Sequence, residues 1–157
     1  MTRVFLSLGS NLGDRAGFLR DAVAALESTG ELVACSAVYE TEPIGGPEDQ
    51  GAFLNLVVEL HTEMEPLELL AACQALEVAA RRERLVHHGP RTLDVDVILY
   101  GDLVSDDPVL TLPHPRMRQR RFVLVPLAEL APEVVEAAWI EAAVGDLDRL
   151  GMLSDVS

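Results

Sequence analysis

The chain has 157 residues, a length that fits a single domain (1–157) with a sizeable core and leaves little room for a second. Hydrophobic residues make up 49% of it, which argues against a disordered chain, and no apolar run approaches the ~20 residues of a membrane-spanning helix. The net charge of −14 argues against a protein that binds nucleic acid.

The first elements along the chain are a strand and a helix. Residues 3–9 (RVFLSLG) have a strand pattern. A helix is expected next, with Asp14 as its N-terminal cap and Gly30 as its stop. Its apolar residues recur at helical spacing: Phe18, Leu19, Ala22, Val23 and Leu26.

Two more strands, a second helix and a fourth strand follow. Strands are predicted over residues 33–41 and 53–61, separated by the loop EPIGGPEDQG (42–51). Pro66 begins the second helix, and the fourth strand lies in GPRTLDVDVILYG (89–101). The order β-α-β-β-α-β predicts an α+β, ferredoxin-like fold, an antiparallel sheet with both helices on one face.

The remainder of the chain is expected to extend that core. A hairpin is predicted around residues 102–112. A helical tail follows, broken at Pro126 and Pro132, and residues 137–150 form a last helix.

The fourth strand carries two carboxylates. Alternation gives it one apolar face toward the helices (Leu93, Val95, Val97 and Leu99) and a second face with Thr92, Asp94, Asp96, Ile98 and Tyr100. Asp94 and Asp96 then lie about 6–7 Å apart along the backbone. They could be solvated, pair with arginine, or hold divalent cations such as Mg²⁺. The D-x-D pattern by itself leaves these three readings open.

The basic residues are unevenly distributed. All twelve are arginines, and eight of them fall within residues 81–121, where the net charge is +2 against −16 for the remainder. Arg81, Arg82 and Arg84 are expected where the second helix frays into a loop, and Arg91 just before the aspartates. This cluster predicts an anion site. The absence of lysine excludes a Walker A phosphate loop and a pyridoxal Schiff base. Paired carboxylates with clustered arginines are typical of a phosphoryl or nucleotidyl transferase that binds a metal–triphosphate.

Two further observations bear on location. The start of the chain shows no signal-peptide pattern. Cys35 and Cys73 lie in apolar segments without metal-ligand spacing, so both are expected to be reduced packing residues. We therefore expect a cytoplasmic protein.

Four segments together resemble the 6-hydroxymethyl-7,8-dihydropterin pyrophosphokinase family of folate biosynthesis. They are LSLGSNLGDR, YETEPIGGPEDQGAFLN, GPRTLDVDVILYG and LPHPRMRQRRFVLVPL, and they follow one another in the family's order over nearly the whole chain. The resemblance implies transfer of pyrophosphate from ATP to the pterin hydroxymethyl group, with release of AMP. It also implies two Mg²⁺ ions and small-molecule partners alone, ATP and the pterin. We further expect a monomer that binds neither nucleic acid nor membrane.

The resemblance also implies roles for individual residues. Asp94 and Asp96 match the family's ligands to both Mg²⁺ ions, and Arg82 and Arg91 join them as catalytic residues. The implied nucleotide contacts are Gln74, Glu77, Arg82, Arg84, Arg91, Ile98 through its backbone, His114 and Arg120. The implied pterin contacts are stacking by Phe53 and Phe122, edge contacts from Thr41, Asn55 and the backbone of Ile44, and Gly9 nearby. His88 departs from the family by standing where a loop tryptophan is frequent.

Two other functions remain alternatives. A palm-type nucleotidyl transferase or cyclase also sets paired aspartates on a ferredoxin-like sheet, but it would release pyrophosphate rather than AMP. A non-enzymatic binding module is the second, since many ferredoxin-like domains serve that purpose.

Overall fold

Most strands in the described part of the chain join in one six-stranded sheet. The computed structural model describes residues 1–11, 13–42, 52–87 and 93–156, and for residues 82–87 the backbone alone. The strands are β1 (Thr2–Asn11), β2 (Glu31–Cys35), β3 (Val38–Thr41), β4 (Phe53–Thr62), β5 (Asp94–Tyr100), β6 (Ser105–Asp107), β7 (Leu110–Leu112) and β8 (Leu147–Gly151). The α-helices are α1 (Arg15–Leu26), α2 (Pro66–His87), α3 (Arg121–Leu130) and α4 (Ala137–Ala142). Within these described ranges, no helix combines the length and the apolar character needed to cross a bilayer.

The sheet is antiparallel and has β1 and β4 at its centre. Its strand order is β5-β1-β4-β3-β8, while β2 pairs with the far half of β4. β1 pairs with β4 over its whole length, from Thr2 opposite Thr62 to Asn11 opposite Phe53. β6 and β7 form a separate two-stranded antiparallel ribbon.

Each face of the sheet has its own helical layer. On one face α1 and α2 pack against alternate residues such as Leu6, Leu56 and Val95. On the other, α3 packs its buried residues Val123, Leu124 and Leu127 against Phe5, Val57 and Ile98. The layer formed by α3 covers only part of its face of the sheet, and the part left uncovered is where the cavity lies.

The first helix, α1, begins where the sequence predicts but ends earlier than predicted. Asp14 caps α1 by accepting a hydrogen bond from the backbone N of Gly17 at 3.1 Å, which confirms the cap. Gly30 is not the helix stop, because α1 has already ended at Leu26. A Cβ atom on Gly30 would clash with the carbonyl oxygen of His61, so glycine permits close approach to β4.

The predicted strand over residues 33–41 is two strands. The chain bends at Ser36 and Ala37, between β2 and β3. Ser36 holds the bend by donating from its backbone N to the Val57 carbonyl and accepting at Oγ from the Val57 backbone N, both at 2.9 Å. A side chain thus replaces one backbone partner, which no strand pattern reveals.

The predicted alternation in β5 holds only up to a bulge. Val97 lies opposite Leu6 and Leu99 lies opposite Phe5, so Ile98 is an extra residue. Beyond it the faces exchange, since Leu99 packs on the α3 side and Tyr100 on the α1–α2 side. The expected placement of Leu99 and Tyr100 was therefore wrong, whereas that of Asp94 and Asp96 was right.

Three expectations for the helices were also wrong. Pro126 lies inside α3 without breaking it, because the helix is held by burial of its apolar side, and Pro126 is itself buried. The helix predicted over residues 137–150 ends at Ala142, before Gly145 with φ of 106°, and β8 follows. α2 does not fray at Arg81 but continues to His87, because arginine, glutamate and leucine favour helix. Arg82 and Arg84 therefore lie on a helix rather than a loop.

Candidate active site

A cavity of about 310 Å³ lies over the end of the sheet that α3 leaves uncovered. Along β1 the residues on this face are Phe5 under the helix, then Ser7 and Gly9 in the cavity floor. β4 and β5 repeat the pattern, because Val57 and Ile98 are covered while Asn55 and Asp96 line the cavity. The described residues that line it are Ser7, Gly9, Thr41, Glu42, Phe53, Asn55, Asp94, Asp96, Arg120 and Phe122.

Three neighbouring strands place an amide, a bare backbone and a carboxylate in one row across the floor. Gly9 lies opposite Asn55 on one side and opposite Asp94 on the other. With strands ~4.8 Å apart, Asn55 and Asp94 are separated by about 10 Å at the backbone. A Cβ atom on Gly9 would lie 3.0 Å from Asn55 Oδ1 and 3.7 Å from the Phe53 ring. Glycine here keeps the floor between them open.

One end of the cavity combines aromatic rings with fixed polar groups. Asn55 is buried, and its Nδ2 donates to Thr41 Oγ1 at 2.8 Å, which fixes the amide and turns Oδ1 toward Gly9. Phe53 and Phe122 are half-buried and line the same space. This end suits a flat, polar-edged ring, which needs apolar faces and a few fixed hydrogen-bonding groups.

The other end is formed by the two aspartates. Asp94 and Asp96 both line the cavity, and the Asp96 side chain is 41% exposed. Arg120 Nη1 lies 3.9 Å from Asp96 Oδ2, and its guanidinium carbon is 5.5 Å from the centre of the Phe122 ring. This arginine therefore bridges the acidic and aromatic ends.

The donor set at this end suits magnesium. Among the residues that the structure describes, no cluster of three or more protein ligands surrounds a metal position. Two carboxylates facing an open cavity are nevertheless the usual protein share of a magnesium site, where phosphate oxygens and water complete the shell. The residues present therefore fit metal ions that arrive with a triphosphate.

Glu77 and Gln74 lie on α2, the helix that packs on the face of the sheet opposite the cavity. Glu77 Oε2 accepts a hydrogen bond from the backbone N of Val95 at 2.9 Å, so it holds the edge strand β5. Burial raises the pKa of Glu77, and the neighbouring Asp94 and Asp96 add to that rise. Gln74 is exposed on the same helix. Neither residue lines the cavity.

His114 and Ile98 are bonded to each other at the bulge. The His114 backbone N donates to the Ile98 carbonyl at 2.9 Å, and His114 Nδ1 accepts from the Arg116 backbone N at 3.1 Å. Burial lowers the pKa of His114, against the opposing influence of Asp96. The ring is therefore neutral near pH 7, with its proton on Nε2.

The arginine cluster is only partly gathered at this site. Among the arginines whose side chains are described, Arg120 alone lines the cavity. Arg118 instead stacks over Trp139 at 4.1 Å, and Arg121 donates to the Gly145 carbonyl at 3.3 Å. Four predicted contacts lie outside the described residues or side chains: Ile44, Arg82, Arg84 and Arg91.

Two cavity residues, Ser7 and Glu42, were not predicted from the sequence. Ser7 follows from the alternation of β1, since it shares a face with Gly9, and this signal was available. Glu42 lies just past β3, where no pattern marks it. Both cysteines are unpaired, as expected, and burial raises the pKa of Cys73 to about 12, with Glu77 and Asp96 contributing.

Comparisons with known proteins agree on one family. Residues 5–132 match the family described as 7,8-dihydro-6-hydroxymethylpterin-pyrophosphokinase (HPPK). A Bacillus subtilis 2-amino-4-hydroxy-6-hydroxymethyldihydropteridine pyrophosphokinase is 42% identical over 94% of this chain and 87% of its own length. The enzyme of the same name from Methylorubrum extorquens is 44% identical over 97% of this chain and 98% of its own.

A solved structure supports the fold independently of close sequence similarity. The crystal structure of an HPPK-DHPS in complex with substrates has a TM-score of 0.66 at 13% identity, over 90% of this chain. This chain spans 42% of that larger protein, so the likeness concerns the fold alone. The family match and the two relatives, which cover most of the chain, show that it belongs to the 7,8-dihydro-6-hydroxymethylpterin-pyrophosphokinase family and is an ATP-dependent pyrophosphokinase.

Proposed function

We propose that this chain transfers pyrophosphate from ATP to the hydroxymethyl group of 6-hydroxymethyl-7,8-dihydropterin, with release of AMP, in folate biosynthesis. The row of Asn55, Gly9 and Asp94 carries the proposal. A flat bicyclic ring over Gly9 would meet the fixed amide at one edge and point its hydroxymethyl group toward the carboxylates. The separation of about 10 Å between β4 and β5, which lie on either side of β1, suits a ligand of this size.

The side chains of the cavity divide the work of binding. Phe53 and Phe122 would stack against the pterin faces, while Thr41 and Asn55 hold its polar edge. Arg120 would turn from Asp96 toward a phosphate, because its present separation of 3.9 Å from that carboxylate is loose. The pterin would be held with its hydroxyl facing the acidic end.

The proposed reaction joins the two ends of the cavity. The hydroxymethyl oxygen forms a bond to the β-phosphorus of ATP and releases its proton to solvent. The bond from that phosphorus to the oxygen bridging to the α-phosphorus breaks, and AMP leaves with that oxygen. Two Mg²⁺ ions, held by Asp94 and Asp96, would offset the negative charge of the triphosphate oxygens. Arg82 and Arg91 are proposed to assist as catalytic residues.

The nucleotide contacts, the oligomeric state and the location stay predictions. The predicted contacts are Gln74, Glu77, Arg82, Arg84, Arg91, Ile98, His114 and Arg120.

The strand order supports assigning β1 to β5 with α1 and α2 as a ferredoxin-like core, with β2 and β3 as its one broken strand. We propose a cytoplasmic monomer that acts on its two small-molecule substrates.

Identifying the nucleotide product tests the proposal. The purified protein is mixed with Mg-ATP and 6-hydroxymethyl-7,8-dihydropterin, and nucleotides are separated by chromatography. We expect AMP to form in proportion to the pterin consumed, and none when the pterin is omitted. Release of inorganic pyrophosphate would instead support a palm-type nucleotidyl transferase or cyclase, which the family match does not favour. Binding without turnover would support the binding module.

A further inference from the structure

A glutamate outside the cavity ties α3 to the strand that forms one of the cavity walls. Glu129 Oε2 accepts a hydrogen bond from the backbone N of Ala37 at 2.9 Å. Glu129 Oε1 accepts from the hydroxyl of Tyr39 at 2.8 Å. Both oxygens of one carboxylate are thus used to hold the start of β3, although Glu129 does not line the cavity.

The same helix and the same strand meet again at the cavity. Phe122 precedes Glu129 by seven residues, so the two lie on the same side of α3, about 10 Å apart. Thr41 follows Ala37 by four residues, about 13 Å along an extended strand. The contact between α3 and β3 therefore has two ends. At one end Glu129 bonds to Ala37, and at the other Phe122 and Thr41 line the same cavity.

Phe122 packs against the core between α3 and the sheet, but the backbone at the first turn of α3 lacks one of its usual bonds. Pro126 has no N–H group, so the Phe122 carbonyl lacks its usual helical donor four residues on. Arg121 reaches the Gly145 carbonyl at 3.3 Å, which is long for a hydrogen bond. The contacts made by the rest of α3, including those of Glu129, therefore add to this packing in holding the first turn.

The strand also depends on Glu129. Ala37 lies fully buried at the bend between β2 and β3, where the ladder is interrupted. Without Glu129 its N–H group would lose its partner, and a buried unpaired donor is costly. The strand start would shift to find another acceptor, and the spacing between β3 and α3 would change with it.

We propose that Glu129 is a positioning residue that sets the width of the aromatic slot between Phe53 and Phe122, and with it the affinity for the pterin ring. The inference rests on the proposed function, because it assigns that slot to the pterin. Glu129 touches no substrate and acts through α3 and β3.

Steady-state kinetics of Glu129 variants test the inference. We expect Glu129→Ala to raise the KM for the pterin about tenfold, with the KM for ATP and kcat within about twofold of wild type. Phe122→Ala should change the same parameter in the same direction. Glu129→Gln should remain close to wild type, because its amide oxygen can accept from Ala37 and its amide nitrogen can donate to Tyr39.

Two further variants complete the test. Tyr39→Phe removes one of the two bonds and should give an intermediate pterin KM; it also decides the question if Glu129→Ala does not fold. Glu133→Ala is the matched control, because it removes the contact of another glutamate, with Arg3, away from the cavity. Its kinetics should be those of wild type.

The outcomes separate this inference from the function on which it rests. An active wild type with an unchanged pterin KM in Glu129→Ala, or in Tyr39→Phe alone if the alanine variant is unfolded, overturns the inference and leaves the function standing. Equal rises in both KM values, or a Glu129→Gln variant as impaired as Glu129→Ala, also overturn it. A wild type that forms no AMP overturns both.

Discussion

At the scale of single residues, the cavity depends on Gly9, which has no side chain to fill it. Gly9 lies between the amide of Asn55 and the carboxylate of Asp94, on the central strand of the three that form the floor. Its backbone does not need positive φ, so steric room alone accounts for the glycine. The family resemblance pointed to this position, and the close approach of Asn55 Oδ1 supplies the physical reason.

Gly9→Ala should therefore impair pterin binding through Asn55. The new methyl group would lie 3.0 Å from Asn55 Oδ1, so the amide must shift and its bond to Thr41 weakens. We expect the KM for the pterin to rise roughly tenfold, equivalent to ~1.4 kcal/mol, while the KM for ATP changes little.

A double-mutant cycle with Asn55→Ala provides the control. Because Gly9→Ala acts through Asn55, it should cost much less when Asn55 is already alanine. Fully additive losses in pterin affinity would show that the two positions act separately, and the explanation for Gly9 would then be wrong.

At the scale of elements, strand periodicity predicted the shared face of the two aspartates, and the family resemblance pointed to most of the other cavity residues. Alternation placed Asp94 beside Asp96 on one face of β5, and both aspartates line the cavity. Phe53 and Asn55, expected from the family resemblance, likewise share one face of β4 and line the cavity. Pairing between strands that are distant in sequence places the two aspartates on one side of Gly9 and Phe53 with Asn55 on the other. No local sequence pattern predicts this arrangement.

The elements that were missed depend on tertiary partners. The bulge at Ile98 appears only in the register with β1, and the bend at Ser36 depends on Val57. β8 was predicted as helix because residues 147–151 have strand structure only by pairing with β3. The covering helix α3 decides which part of the sheet remains open, and its position likewise has no sequence signal.

An ion network at the covered end of the sheet gives an element-scale prediction. Glu59 on β4 accepts hydrogen bonds from Arg3 of β1 and lies 2.8 Å from His61 Nε2. Burial by itself would raise the pKa of Glu59, but the bonds from Arg3 and His61 outweigh it and hold that pKa below its ordinary value. The carboxylate therefore stabilises the fold above the ordinary glutamate pKa, and this contribution is lost as pH falls through the folded-state value.

Glu59→Gln should accordingly lower the free energy of unfolding by about 1–2 kcal/mol at neutral pH, and by progressively less as the solution is acidified. Denaturant titrations at a series of pH values measure this. Glu133→Gln removes an exposed partner of the same arginine and should have a much smaller effect. A Glu59→Gln deficit that stays constant down to pH 3 would contradict the assignment.

At the scale of the whole molecule, charge is unevenly distributed along the chain. The chain carries −14 overall, yet its arginines concentrate in residues 81–121, around the two aspartates. A metal-bound triphosphate needs both signs, carboxylates for the ions and guanidinium groups for the phosphate oxygens. The sequence distribution is consistent with an anion site near the aspartates, to which Arg120 contributes among the arginines with described side chains.

The central claim is that Asp94 and Asp96 together hold the metal ions of a triphosphate. Anomalous diffraction from crystals grown with Mn²⁺ and a nonhydrolysable ATP analogue measures this directly, with Asp96→Asn crystals as the control. We expect two manganese peaks within about 2.2 Å of carboxylate oxygens of both residues, and at least one peak lost in the variant. Nucleotide density with its metal bound by phosphates alone, away from both carboxylates, would contradict the account.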